Sequence, residues 1–383
     1  MSAAVKGYAA PETTAAAERA RLLIEQAQAL KEPPEEPLLL FSVLYGVWVA
    51  NIVAFNGDVA RNLAAQFLEF AEKQRATAPL MMGHRTMGIS LTMTGDIAKA
   101  QAHCDLAFAL YDPADHRHLA TRFGVDARVA VLSYRSLSLW IFGNPDAALA
   151  DAEHALKDGR EIGQAATLMY ALFHTAYFAY FHCRNYPATN VLLHELIALA
   201  DEKGTAFWKA GGEMLQGCVL AFTGKASDAV PTITTGLGAW RSTGATLFIP
   251  EHLSCLARAL AELGQFEDAW RCVGEAMTAI ETTKETWCEA EVNRIAGEIA
   301  LMSLEPDAAK AEAYFERALA VARAQQAKSW ELRAAMSMAR LWRDQGKRQQ
   351  ARKLLAPVYG WFTEGFDTLD LKEAKALLEE FAS

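Results

Sequence analysis

The sequence predicts an all-α chain wound as an α-α superhelix, a solenoid of about eight helical hairpins. Three observations predict it. Turn residues recur with a period near 40, small and apolar residues recur at fixed offsets from those turns, and nothing reads as a sheet. At 383 residues, 52% hydrophobic and 22% charged, the chain is neither disordered nor fibrous, and its length suits an array that grows by adding units.

The turns begin at Gly57, Gly95, Gly143, Arg184, Gly224, Gly264, Pro306 and Gly346, with separations of 38, 48, 41, 40, 40, 42 and 40 residues. Five residues beyond each anchor after the first stand Ala100, Ala148, Thr189, Ala229, Ala269, Ala311 and Ala351, all small. Nine beyond stand Cys104, Ala152, Leu193, Ile233, Val273, Phe315 and Leu355, all apolar. Seven residues before the anchors stand Gly88, Ser136, Tyr177, Gly217, Ala257 and Ala339, where only Tyr177 is large. Antiparallel helices approach closely only where a small side chain lets the backbones meet, so these positions are expected to be crossing points.

Residues 1–37 are read as an N-terminal segment in which 14–30 form the second helix of a hairpin whose first helix is missing. The solenoid is expected over 38–366. Residues 367–383 are expected to be a capping helix, since KEAKALLEEFA at 372–382 is amphipathic and charged. The run LLLFSVLYGVWVANIVAF at 38–55 carries no charge over 18 residues, the length of a membrane span. Its acidic flanks, Glu32, Glu35, Glu36 and Asp58, and its Ser42, Gly46 and Asn51 argue instead for a helix buried among neighbours, with no membrane partner.

The net charge of −9 repels phosphate backbones, which argues against nucleic acid. The basic stretch RLWRDQGKRQQARK at 340–353 reads as the solvated side of a helix pair. Six isolated cysteines, at 104, 183, 218, 255, 272 and 288, form no CxxC and read as small hydrophobes in a reducing, cytoplasmic compartment. The start, MSAAVKGYAAPE, is not read as a signal peptide.

The runs LGQFEDAWRCVGEAM at 263–277 and EPDAAKAEAYFERALAVA at 305–322 resemble tetratricopeptide repeats, with a longer period than the usual 34. The stretches at 6–12, 111–150 and 329–378 resemble the C-terminal repeat region of bacterial predicted-ATPase and adenylate/guanylate-cyclase-like signalling proteins, and the resemblance covers nearly the whole chain. It implies a regulatory repeat arm whose NTPase or cyclase domain lies outside these residues. The chain accordingly reads as a fragment, or a stand-alone descendant, of a longer protein.

Catalytic chemistry is sought without success. TGKAS at 223–227 lacks the spacing of a phosphate-binding loop, and HELIA at 194–198 has Ala198 where a zinc-protease motif needs its second histidine. No enzyme activity, cofactor or metal is expected. Two sets of residues are candidates for binding. Outward positions on the concave face are read as Arg85, His174, Arg258, Arg294, Arg333 and Arg340, suited to an acidic or extended peptide. The peptide-terminus clamp of chaperone-binding repeats resembles a Lys/Asn set, but the matching places here hold Ile89, Leu137, Phe178, Cys218 and Arg258. The second set is His116, Arg117, Arg122 and Arg128 in the polar stretch 112–128, where the period lengthens. These residues either bind an anion or cap helix ends and pair with Asp112, Asp115 and Asp126. The aromatic cluster Tyr170, Phe173, Tyr177, Phe178, Tyr180 and Phe181 is read as core.

The expected function is a non-catalytic protein-interaction or sensor module that engages a protein or peptide partner, or an upstream NTPase or cyclase domain. The alternatives are a small-molecule-sensing regulatory domain, and part of an adenylate cyclase or ATPase whose catalytic domains lie elsewhere.

Overall fold

The computed structural model describes residues 37–303 and 305–382, together with residues 8 and 9 and scattered positions between 12 and 22. The expected unpartnered helix at 14–30 rests mostly on residues outside the described ones. Among the described residues no strand occurs.

Eight hairpins follow one another. Helix α1 (Pro37–Val53) pairs with α2 (Gly57–Gln74), α3 (Thr77–Met93) with α4 (Ile97–Ala109), and α5 (Ala127–Phe142) with α6 (Pro145–Ile162). Helix α7 (Ala165–His174) pairs with α8 (Tyr186–Lys203), α9 (Ala206–Phe222) with α10 (Ala226–Ser242), and α11 (Ile249–Glu262) with α12 (Phe266–Thr283). Helix α13 (Glu289–Met302) pairs with α14 (Ala308–Ala324), and α15 (Lys328–Asp344) with α16 (Arg348–Tyr359); α17 (Leu369–Glu380) then packs against both α15 and α16.

Six of the eight turn anchors, Gly95, Gly143, Arg184, Gly224, Gly264 and Gly346, have positive φ. That conformation stops the first helix and reverses the chain, which is why five of the six are glycine. The seven small residues five places on are completely buried at the hairpin seams, and the apolar residues nine places on are buried beside them. Contact there is close. A Cβ on Gly217 of α9 would lie 2.5 Å from Ile233 Cγ1 and 2.8 Å from the Ile233 nitrogen on α10, and one on Gly88 would lie 2.7 Å from Cys104 Sγ.

Tyr177 breaks this pattern of small residues, and the helix changes with it. Residues Thr175–Phe181, continuing α7, form a π-helix that widens the backbone where the large Tyr177 side chain stands. Tyr177 is fully buried.

The superhelix closes on itself. The Val53 carbonyl at the end of α1 accepts from the amides of Thr246 (3.0 Å) and Leu247 (3.1 Å), just before α11. One hairpin later the Met93 carbonyl accepts from Thr286 (3.1 Å) and Trp287 (3.3 Å), just before α13, and in the next the Trp140 carbonyl accepts from the Ser329 hydroxyl (2.5 Å). Hairpin one therefore meets hairpin six, two meets seven and three meets eight. Helix C-termini carry carbonyls without intrahelical partners, and here the next superhelical turn supplies their donors. The same sequence of contacts brings Arg184 to Asp370 and Glu373 on α17.

The hairpin seams carry a direct test. Gly217→Ala should lower stability by about 1–3 kcal/mol in urea unfolding, because the methyl meets backbone as well as side chain. Gly274→Ala, on an exposed stretch of α12 with nothing within 4 Å of the added Cβ, should raise it by about 0.5–1 kcal/mol.

Candidate functional site

Closure of the superhelix divides the expected concave groove, and two partly open cavities stand out along it. The larger, about 550 Å³, is walled by Tyr45, Trp48 and Ile52 of α1, Arg85 and Ile89 of α3, Tyr134 of α5, Tyr170, Phe173 and His174 of α7, Phe207 and Trp208 of α9, and Trp240 and Phe248 beyond. This explains the charge-free run at 38–55. Helix α1 faces neighbouring helices with part of its surface and the cavity with the rest, so it is apolar nearly all round. No helix among the described residues is long and apolar enough to cross a membrane.

Arg85 and His174 stand buried on this apolar wall. Arg85 is 2% exposed. Its Nη2 donates to the Tyr45 hydroxyl at 2.9 Å, its guanidinium carbon lies 5.2 Å from the centre of the same ring, and its Nη1 points at Met82 Sδ at 3.8 Å. Its Nε has no acceptor, and it pairs with no carboxylate among the described residues. His174 donates from Nδ1 to the Tyr170 carbonyl at 2.7 Å. Burial, with Arg85 acting in the same direction, pushes its pKa down to about 3. The ring is neutral at pH 7, with Nε2 left as an acceptor. Tyr8, edge-on to Phe207 at 5.3 Å, also lines the cavity, and burial raises its hydroxyl to about 12.

The smaller cavity, about 210 Å³, is polar. Its arginines are engaged with acids. Arg294 binds Glu291 through two bonds of 2.7 Å and also reaches Glu298. Arg258 meets Glu298 at 3.1 Å, Arg333 meets Asp370 at 2.8 Å and the His182 carbonyl at 2.6 Å, and Arg340 meets Glu373 at 2.8 Å. Burial by itself raises the Glu291 carboxyl, but Arg294 overrides it and holds the pKa at about 2.

The six residues read as outward on one concave face thus need correction. Arg85, His174 and Arg294 are buried, and Arg333 nearly so. The set is divided, with Arg85 and His174 on the apolar cavity and the other four in the ion-paired one. Repeat periodicity fixes which helix face turns inward, but not how tightly the superhelix winds, and the tight winding buries that face.

The residues of the long connection separate. Three short helical turns, Pro113–His116, Arg117–Leu119 and Ala120–Phe123, fill it. His116 is buried and its Nδ1 accepts from the Asp112 amide at 2.9 Å, while Asp112 caps the first of these turns at Ala114. Arg117 stays exposed. Arg128 pairs with Asp158 of α6 at 3.3 Å, and Asp126 caps α5 through the amides of Arg128 and Val129. Arg122 donates to Ser42 of α1 at 3.3 Å and, with Phe123, Gly124 and Val125, lines the apolar cavity. The insertion thus forms one side of that cavity.

Between the cavities lies a buried acid cluster that the sequence did not single out. The Tyr177 hydroxyl donates to Glu251, whose other oxygen lies 3.0 Å from His182 Nε2. Glu285, fully buried, accepts from the Phe248 amide at 2.8 Å and Trp287 Nε1 at 3.1 Å through one oxygen, and the other has no partner. Burial raises its pKa to about 8. Among the described residues no group of three His, Cys, Asp or Glu is placed to hold a metal. All six cysteines are free and buried.

Neither a protein-family model nor a curated protein matches this chain. Solved structures do. The Rap conjugation gene regulator of the plasmid pLS20, in complex with the Phr* peptide, superposes with a TM-score of 0.55 at 9% identity, covering 97% of this chain and 96% of that one. A Rap protein complexed with Competence and Sporulation Factor superposes with a TM-score of 0.52 at 13% identity, covering 89% and 97%. The fold is a tetratricopeptide-like superhelix. At these identities the likeness is one of fold.

The tetratricopeptide-like hairpins show why Tyr45, Trp208 and Phe248 escaped the sequence reading, and why Tyr170 and Phe173, read there as core, line the cavity as well. The second helices are alanine-rich and regular, so the period is read from them. Tyr45, Trp208 and Phe248 lie on or just before first helices, where aromatics cluster. That clustering, at 45–48, 170–181 and 207–208, is the signal that marks a cavity wall.

Two measurements test the buried charges. Arg294→Met should cost about 3–5 kcal/mol in urea unfolding by stranding Glu291, and Glu291→Met in the same chain should recover most of the loss. For Glu285, the unfolded chain loses its proton near pH 4.5 and the folded chain near 8. Between these values the folded state holds the extra proton, so this group makes stability fall as pH rises from about 4.5 to 8. Glu285→Gln should flatten that part of the stability profile.

Proposed function

We propose that this chain is a non-catalytic, effector-responsive regulatory module, in which a ligand held inside the superhelix sets the shape of the array and a protein partner reads that shape. The observation that carries this reading is the 550 Å³ cavity, whose walls come from hairpins one to six. An occupant touching Tyr45 and Phe248 together bridges helices far apart in sequence, so its binding energy acts on the relative placement of the hairpins. The volume is that of a small-molecule site, apolar with a few polar groups. The fold supports the reading as well, since one neighbour was solved with the Phr* peptide and another with Competence and Sporulation Factor.

The resemblance of 111–150 and 329–378 to repeat arms of predicted ATPases and cyclases points to the output. The partner is an NTPase or cyclase domain, in the same or another chain. A reducing cytoplasmic compartment suits the six buried free thiols.

Gly46 provides the test. It lies on the cavity side of α1, and a Cβ added there meets nothing within 4 Å. Gly46→Phe should therefore fill the cavity while leaving the fold intact. Purified chain incubated with a small-molecule and peptide extract of its source cells should retain a limited set of compounds, identified by native mass spectrometry. Each should raise the melting temperature of the wild type by a few degrees at saturation, and Gly46→Phe should retain none of them. An identical retained set on both proteins would sink the proposal.

A further inference from the structure

The apolar cavity holds a charge that no carboxylate among the described residues neutralises. Arginine stays protonated at any physiological pH, and burying it without a counter-ion is costly unless another group answers the charge. Elsewhere the fold answers that cost repeatedly, because each arginine of the polar cavity meets at least one carboxylate. Arg85 is as deeply buried as any of them and meets a phenol hydroxyl, a thioether and an aromatic face. Its Nε lacks an acceptor.

A second observation points the same way. Trp208 Nε1, on the same cavity wall, is buried and turned toward the Tyr8 hydroxyl, but makes no well-formed hydrogen bond to it. Both unsatisfied polar atoms on this wall are donors, so the missing group is an acceptor. His174, neutral with Nε2 free of its proton, adds no competing positive charge. Ser42, Thr121, Arg122 and Gln164 add polar groups at the side formed by the insertion, and the rest of the wall is mostly aromatic and aliphatic, with Tyr45, Trp48, Phe173 and Phe207 offering ring faces or edges to a flat or chain-like apolar body.

We infer that the cavity binds a small amphipathic carboxylate, its apolar body among the aromatic side chains and its carboxylate paired with Arg85. This rests on the effector reading above and names the chemical class of the effector. A charge-assisted pair supplies the counter-charge that the protein omits, so the class follows from what the cavity lacks. The pairing also gives the ligand a route into the array, since Arg85 holds the Tyr45 hydroxyl of α1 from its place on α3. A carboxylate drawing on the same guanidinium acts on the contact between the first two hairpins.

The test uses the full chain and a matched pair of probes, 1-naphthaleneacetate and the neutral 1-naphthaleneacetamide, titrated by isothermal calorimetry and by the quenching of tryptophan fluorescence. The acid should bind the wild type at least about tenfold more tightly than the amide. Arg85→Met should abolish that preference while still binding the amide, and Arg85→Lys, which keeps the charge, should retain part of it. Gly46→Phe should bind neither probe.

Equal affinity of the wild type for acid and amide, with both excluded by Gly46→Phe, would overturn the carboxylate assignment and leave the effector reading standing. So would an acid preference that survives Arg85→Met. Failure of the wild type to bind either probe would overturn the assignment too, and an extract that yields no ligand sensitive to Gly46→Phe would then overturn the effector reading separately. The comparison of acid with amide on the wild type needs no variant, so a folding defect in Arg85→Met does not decide the outcome.

Discussion

The ends of the first helices organise this molecule. In three successive hairpins a carbonyl of the last turn, Val53, Met93 and Trp140, accepts from donors at the entrance to a first helix five hairpins further on, although Trp140 is also bonded by the Gly143 amide of its own C-cap. Negative and positive ends of helix dipoles meet there as well. The sealing of the inner face, the two cavities and the burial of so many polar side chains all follow from that docking. An open solenoid with the same hairpins would leave Glu251, Glu291 and Arg294 in contact with water.

The two cavities show two solutions to burying charge. In the polar one, arginines and acids are interleaved so that removing either sign strands the other, and the pairing is part of the fold. In the apolar one, Arg85 and His174 sit among rings. Burial has driven the histidine to its neutral form, a response closed to the arginine. The contrast between the two places within one chain, rather than the presence of arginine as such, separates a structural network from the place where a ligand is proposed.

Much of the fold was legible because hairpin packing is local. Ala148, Ala229, Ala269 and their counterparts are small because a facing helix lies against them, and that requirement repeats with every unit. Tyr177 was visible as an exception, and the π-helix is the physical meaning of the exception. The polar stretch 112–128 was visible as an insertion, but its place on the cavity wall was not, since that depends on Arg122 and Phe123 lying against α1. The expected outward arginines failed for a related reason. How many hairpins complete a superhelical turn is a sum of small rotations, and no single residue encodes it. The isolation of Arg85 is the least legible feature, because it consists of the absence, among the described residues, of a carboxylate paired with it in three dimensions.

In a linear repeat array each unit touches only the units before and after it, and unfolding proceeds from the ends like a zipper. The seam gives hairpins one, two and three a further neighbour in hairpins six, seven and eight, so the array becomes a small two-dimensional lattice. Contacts between residues as distant as Trp140 and Ser329 raise its contact order, which slows folding and makes melting more cooperative. A chain built from local pieces is thereby expected to unfold more nearly as one unit, and the seam offers a disturbance at one hairpin a direct contact with the far half of the chain.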